Sequence, residues 1–160
     1  MMRLLKTLTV CFLAAIVAFS GITAFAAAET IIINGTAAEI PPEMGTIQER
    51  DDRTFVPVRF ILEYLGCNVS YIDDSRTAVI QSISSTYLIQ EGNSILFILP
   101  NQYTETEEKL MDTAAFIEST VLDGVEYGRM YVPIRFLAEA IGYDVGWDGA
   151  TQTVTLTMAK

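Results

Sequence analysis

One stretch of this chain occurs twice. RTFVPVRFILEYLG at Arg53–Gly66 returns as RMYVPIRFLAEAIG at Arg129–Gly142. Each copy continues without a gap into a second matched piece, NVSYIDDSRTAVI at Asn68–Ile80 and DVGWDGATQTVTL at Asp144–Leu156. Every matched pair lies 76 residues apart. A constant offset over this length marks a duplicated supersecondary unit, with core signatures at 53–80 and 129–156.

The residue pattern gives each unit a form. Val58, Ile61, Leu62 and Leu65 recur at i, i+3, i+4 and i+7, the spacing of one buried helical face. Ile134, Leu137, Ala138 and Ile141 repeat it. Pro57 and Pro133 suit the first helical position, where a missing N–H does no harm. Gly66 and Gly142 suit the left-handed residue that ends a helix. A hairpin should follow each helix. Val69–Tyr71 turns through Asp73-Asp74-Ser75 into Thr77–Ile80, and Val145–Trp147 turns through Asp148-Gly149 into Thr153–Thr157. In the last strand Val154 and Leu156 alternate with three threonines, which predicts a half-buried strand.

Outside the units, Thr30–Ile33 reads as a strand closed by an Asn34-Gly35 turn. Another short extended piece falls between Pro41-Pro42 and Asp51-Asp52. Tyr87–Ile89 and Ile95–Leu99 flank Gly92-Asn93 as a further hairpin. Pro100–Lys109 is polar and reads as a loop or a short surface helix; Ala114–Ile117 fits either a strand or a helix, with strand favoured by the extended lead-in of the first copy. The expected class is α+β, with small antiparallel sheets packed around short helices. A short helix and one hairpin bury little alone, so the two units should share one core.

Residues 1–28 read as an export leader, with 29–160 as the folded domain. Arg3 and Lys6 precede the apolar run Leu8–Phe19, and small residues follow it. Cleavage after Ala26 or after Ala28 fits the small-residue pattern. An uncleaved leader would instead anchor the chain in a membrane. Cys11 would leave with the leader, so Cys67 would be the sole cysteine and the domain would have no internal disulfide. Without Arg3 and Lys6, the formal charge of −10 becomes −12. That argues against nucleic acid or an anionic membrane face as a partner.

The pattern R-[TM]-[FY]-V-P-[VI]-R-F-x-x-E-x-x-G, followed by V-x-[YW] and a T-x-T-x return strand, resembles the copper amine oxidase-like N-terminal domain. This is a stalk-type module of exported proteins in Gram-positive bacteria. Arg53, Pro57, Arg59, Phe60, Glu63 and Gly66 carry it in the first copy. Arg129, Pro133, Arg135, Phe136, Glu139, Gly142 and Trp147 carry it in the second. The first copy departs at Tyr71-Ile72-Asp73, where Trp-Asp is usual, and at Tyr64. The resemblance implies a small antiparallel sheet around a helix, in an accessory rather than a catalytic role. Copper amine oxidases hold their metal with histidines in a separate catalytic domain.

The chain contains no histidine. That removes Ser-His-Asp and Cys-His sites, and with them the usual zinc and copper centres. No glycine-rich phosphate loop is present. The acidic groups at Asp51-Asp52, Asp73-Asp74 and Glu105–Glu108 lack the spacing of a calcium loop. No metal or cofactor is expected. Among binding residues, Arg59 and Arg135 offer forks for a carboxylate or phosphate. Tyr71 and Trp147, at matching positions, offer faces for a sugar ring. The alternative for both arginines is a structural clamp on a nearby strand carbonyl, and for both aromatics a cover over the helix. The expected role is non-catalytic: a structural or interaction module, secreted or associated with the cell envelope. Its candidate partners are a wall polymer, an envelope protein or a second copy of the chain. A peptidoglycan- or polysaccharide-binding module and a small carboxylate-dependent hydrolase are the alternatives.

Overall fold

A computed structural model describes residues 28–102 and 105–160. The leader reading, residues 1–28, therefore lies outside the described residues except for Ala28. Among the described residues thirteen strands form three sheets, accompanied by two α-helices.

The chain enters as β1 (Thr30–Ile33) and β2 (Thr36–Ala38), which pair antiparallel around Asn34-Gly35 as expected. A single 3-10 turn at Pro42–Met44 leads to β3 (Gln48–Arg50), β4 (Arg53–Pro57) and α1 (Val58–Tyr64). Strands β5 (Asn68–Ile72) and β6 (Thr77–Gln81) form the first predicted hairpin, and β7 (Ser85–Gln90) and β8 (Ile95–Pro100) the next. Then follow β9 (Glu107–Leu110), β10 (Phe116–Leu122) and β11 (Val125–Pro133). The chain closes with α2 (Ile134–Ala140), β12 (Tyr143–Asp148) and β13 (Thr153–Met158). The sheet orders are β12-β13-β1-β2, β10-β11-β4-β3 and β5-β6-β7-β8-β9.

Four expectations change. Pro57 and Pro133 are not the first helical residues but the caps before them, at φ −62°, ψ 120° and φ −60°, ψ 125°. Each proline still completes a strand, and its ring fixes the φ at which strand gives way to helix. The segment Pro100–Lys109 is not a loop or helix throughout, because β9 pairs with β8 from Glu107 onward. Its charges hid the strand, since edge strands tolerate such residues. The long β10–β11 hairpin extends well beyond the strand expected at Ala114–Ile117, turning at Asp123-Gly124. Lastly, the sheets are not wholly antiparallel. β1 lies parallel to β13, Ile31 beside Val154 and Ile33 beside Leu156. Parallel neighbours need a long crossover, and here nearly the whole domain supplies it.

The helices end as their glycines predict. The Gly66 N–H donates to the Glu63 carbonyl (3.0 Å) and the Cys67 N–H to the Leu62 carbonyl (2.8 Å). This pair of hydrogen bonds satisfies the Leu62 and Glu63 carbonyls and needs Gly66 at φ +82°. Gly142, at φ +90°, makes the matching bond to Glu139 (3.3 Å). Cys67 is half-buried, and loss of water raises its thiol pKa, which keeps the thiol protonated at neutral pH.

Both helices feed one continuous apolar cluster. Val58, Phe60, Ile61 and Leu62 of α1 are buried in it, as are Ile134, Leu137 and Ala138 of α2. The seam between them is the β4–β11 ladder, where Val56 lies opposite Val132. These two valines occupy matching positions of the two copies and are both fully buried. Phe55 faces Pro133 and Pro57 faces Tyr131, so the ladder is arranged evenly about the valine pair. α1 packs on β5 and β4 but also on β11; α2 packs on β12 and β11 but also on β4. Each helix thus leans on the strand that leads into the other.

Candidate functional site

That exchange creates two grooves. The first, of about 400 Å3, lies where α2 and β12 meet the start of β4. Pro133 turns the chain out of β11 and sets Arg135, which is exposed, in the first turn of α2. Tyr143, Val145 and Trp147 alternate along β12 and face the helix, leaving Trp147 half-buried in the groove wall. Phe136 and Glu139 complete the helical side, and the Lys109 ammonium stands 5.3 Å from the Phe136 ring centre. The far wall is Asp52-Arg53 with Asp112. Arg53 donates from Nε to the Asp112 carboxylate at 2.5 Å and from Nη1 to the Asp51 carbonyl at 2.8 Å. The hydrogen bond and charge of Asp112 raise the Arg53 pKa, so the guanidinium stays charged.

The second groove, of about 350 Å3, lies where α1 and β5 meet β11. It is lined by Arg59, Tyr71, Asp73 and Arg76 on one side and by Gly128–Met130 on the other. Tyr71 is half-buried on the alternating inner face of β5. Arg59 is exposed, with Nε 3.8 Å from Glu63 Oε1. Arg76 forms an ion pair with Glu91. Arg129 donates from Nε to the Glu43 carbonyl at 2.8 Å, adds a second bond to that carbonyl through Nη2, and bonds Gly128 through Nη1.

The grooves match position by position. Arg135 and Trp147 in one correspond, 76 residues away, to Arg59 and Tyr71 in the other. Arg53 of β4 enters the α2 groove, and its match, Arg129 of β11, enters the α1 groove. The four candidate binding residues are thus brought together as two pairs, one pair per groove. The carbonyl-clamping role considered for Arg59 and Arg135 falls instead to Arg53 and Arg129, whose strands lie beside the loops they hold. Arg59 pairs along its own helix. Among the described residues Arg135 has no ion pair.

The remaining signature residues are framework. Phe60 is buried, its ring 6.0 Å from that of Tyr64, while Glu63 and Glu139 are exposed. Sequence reasoning missed Arg76 and Asp112 as groove residues. Arg76 sits at φ +52° in the β5–β6 turn, and Asp112 lies between the copies, outside the repeat that drew attention. Among the described residues no three His, Cys, Asp or Glu side chains converge on a point that could hold a metal ion.

The family model described as copper amine oxidase N-terminal domain matches residues 32–156, most of the chain. The chain belongs to the copper amine oxidase N-terminal domain family. The family is a non-catalytic domain, and its name gives this chain no copper. Copper favours imidazole and thiolate ligands, whereas this chain has no histidine and, among the described residues, a lone half-buried thiol. Comparison with curated proteins and with solved structures found no match.

Proposed function

We propose that this member of the copper amine oxidase N-terminal domain family is an exported binding module, built by duplication, that holds a cell-envelope glycan in its two grooves. The observation that carries the reading is the repeated pairing of a half-buried aromatic with an exposed arginine, Tyr71 with Arg59 and Trp147 with Arg135. An aromatic face receives the apolar side of a sugar ring, and a guanidinium fork bonds its substituents. The single core beneath fixes both grooves on rigid elements, which lowers the ordering cost of binding.

The hydrolase alternative has less support. A general acid working at neutral pH needs burial or a like-charged neighbour to hold its proton. The α2-groove carboxylates Asp52, Asp112 and Glu139 are all exposed, and Asp112 is tied to Arg53. Self-association through sheet edges is opposed by Glu107, Glu108 and Lys109 on edge strand β9.

Export follows from the leader pattern. Ala28 is buried in the core and the Glu29 backbone N–H donates to the Gln152 carbonyl at 2.9 Å, which favours cleavage after Ala26. Intact-mass analysis of the secreted protein should find Ala27 at the N-terminus; retention of residues 1–26 would contradict the leader. The binding reading is tested by co-sedimentation with Gram-positive wall sacculi across a salt series. Saturable pelleting, weakened in both Trp147→Ala and Tyr71→Ala, is expected. No pelleting at any salt concentration would count against it.

A further inference from the structure

The two grooves differ in charge. Around Tyr71 stand Arg59, Arg76 and Arg129, three of the chain's seven arginines; Asp73 is the one carboxylate in the lining, with Glu91 paired to Arg76 and Glu63 near Arg59 from outside it. Around Trp147, Arg53 and Arg135 are set against Asp52, Asp112 and Glu139. The guanidinium cluster is notable in a chain with a formal charge of −10.

The existing partners of these arginines leave capacity for a ligand. Arg129 spends its hydrogen bonds on carbonyls, which do not cancel its charge. Arg59 is 3.8 Å from Glu63, too far for a hydrogen bond. Arg76 is held by Glu91 at two points, through Nε and Nη2, which offsets its charge and leaves its Nη1 donors for a ligand. Each guanidinium has five N–H donors in a planar fork, a shape that matches a carboxylate at two points. A half-buried tyrosine beside them supplies the ring face.

We propose that the Tyr71 groove selects carboxylate-bearing sugars, whereas the Trp147 groove accepts sugars without that requirement. The proposal rests on the glycan-binding reading above and names the chemistry that one of its two sites prefers. A uronic acid and a sugar carrying a lactyl ether share this carboxylate.

The test is isothermal titration of the purified protein with two matched pairs of probes. One pair is tetragalacturonate and its methyl ester; the other is the N-acetylglucosamine–N-acetylmuramic acid disaccharide and chitobiose. In at least one pair the acidic member should bind about tenfold more tightly, the weight of one charge-assisted hydrogen bond. The responding pair identifies the source of the carboxylate. Both Arg59→Gln and Arg76→Gln alter exposed side chains and should remove the preference, while Arg135→Gln should keep it. Equal binding of acidic and neutral members in both pairs would overturn the selectivity and leave the glycan reading standing. A preference abolished by Arg135→Gln but retained in the other two variants would also overturn it. Absence of binding by all four probes would overturn both.

Discussion

Arg53 and Arg129 occupy matching positions on matching strands, yet Arg53 grips a carboxylate as well as the Asp51 carbonyl, whereas Arg129 grips backbone carbonyls alone. Asp112, the partner of Arg53, belongs to the segment between the copies, just after β9. Glu43, whose carbonyl Arg129 holds, belongs to the 3-10 turn before the first copy. The matched segments therefore set the shape of the two grooves and most of their charge, while Asp52 and Asp112, from outside those segments, add acidity to the α2 groove alone. That division teaches where to look for function when similar segments recur in one chain. Similarity between copies reports on packing, and divergence at their margins reports on what each surface meets.

The largest expected effects test whether the units share a core. Ile61 and Leu137 are matching, almost fully buried helix residues. Ile61→Ala and Leu137→Ala should each cost about 2–5 kcal/mol, and each should lower the midpoint of one common unfolding transition. Two separable transitions in either variant, measured by thermal circular dichroism, would break the single-core account.

A smaller effect is expected where only one groove has a neighbouring turn. Gly45 sits at φ +100°, and a Cβ there would lie 2.5 Å from the Tyr131 hydroxyl. Gly45→Ala should destabilise the protein by about 1–3 kcal/mol. Adding Tyr131→Phe should recover part of this loss in chemical denaturation, because the hydroxyl in the way is gone. The backbone strain would remain.

The two arginine clamps should respond differently to salt. Arg53→Ala removes an exposed ion pair together with a bond to the Asp51 carbonyl, so the ion-pair part of its effect should fade as ionic strength rises. Arg129→Ala strips a carbonyl of its donors and should cost about 1 kcal/mol at any salt concentration. Equal salt dependence of the two variants in denaturant titrations would erase the distinction drawn between the clamps.

The smallest effect concerns the two hairpin turns. Asp148 accepts a hydrogen bond from the Ala150 N–H at 2.9 Å, and this bond, with help from Thr151, depresses its pKa below the usual carboxylate value. Its match in the first hairpin is Ile72, an exposed apolar residue. With the folded pKa below the unfolded one, the contribution is present above the unfolded pKa and is lost as pH falls through the folded pKa. Carbon-detected NMR should therefore find Asp148 still ionised where ordinary aspartates have taken up a proton. Asp148→Asn should flatten that part of the acid response. A titration of Asp148 at the ordinary aspartate value would contradict the bond.

Much of this was legible in the chain. The helices, their glycine stops and both matched hairpins follow from local spacing and turn chemistry, which act over a few residues. Parallel docking of β1 on β13 and the strand at Glu107–Leu110 were not legible, because each depends on partners brought in by tertiary structure. The site was half legible. The matching positions singled out Arg59, Tyr71, Arg135 and Trp147, but the offset alone could not say that each groove also takes an arginine from the other unit. Arg76 and Asp112 gave no signal, since neither belongs to a repeated pattern of charge.

Trp147 is the only tryptophan in the chain and lines one of the two grooves, so its fluorescence reports on the proposed site without a label. The most direct test of the binding account is to titrate the purified protein with soluble glycan fragments released from Gram-positive wall sacculi. The account predicts a saturable change in Trp147 emission, weakened in Arg135→Gln. Pelleting with intact sacculi while Trp147 emission and its quenching by iodide stay unchanged would place binding outside that groove and contradict the account.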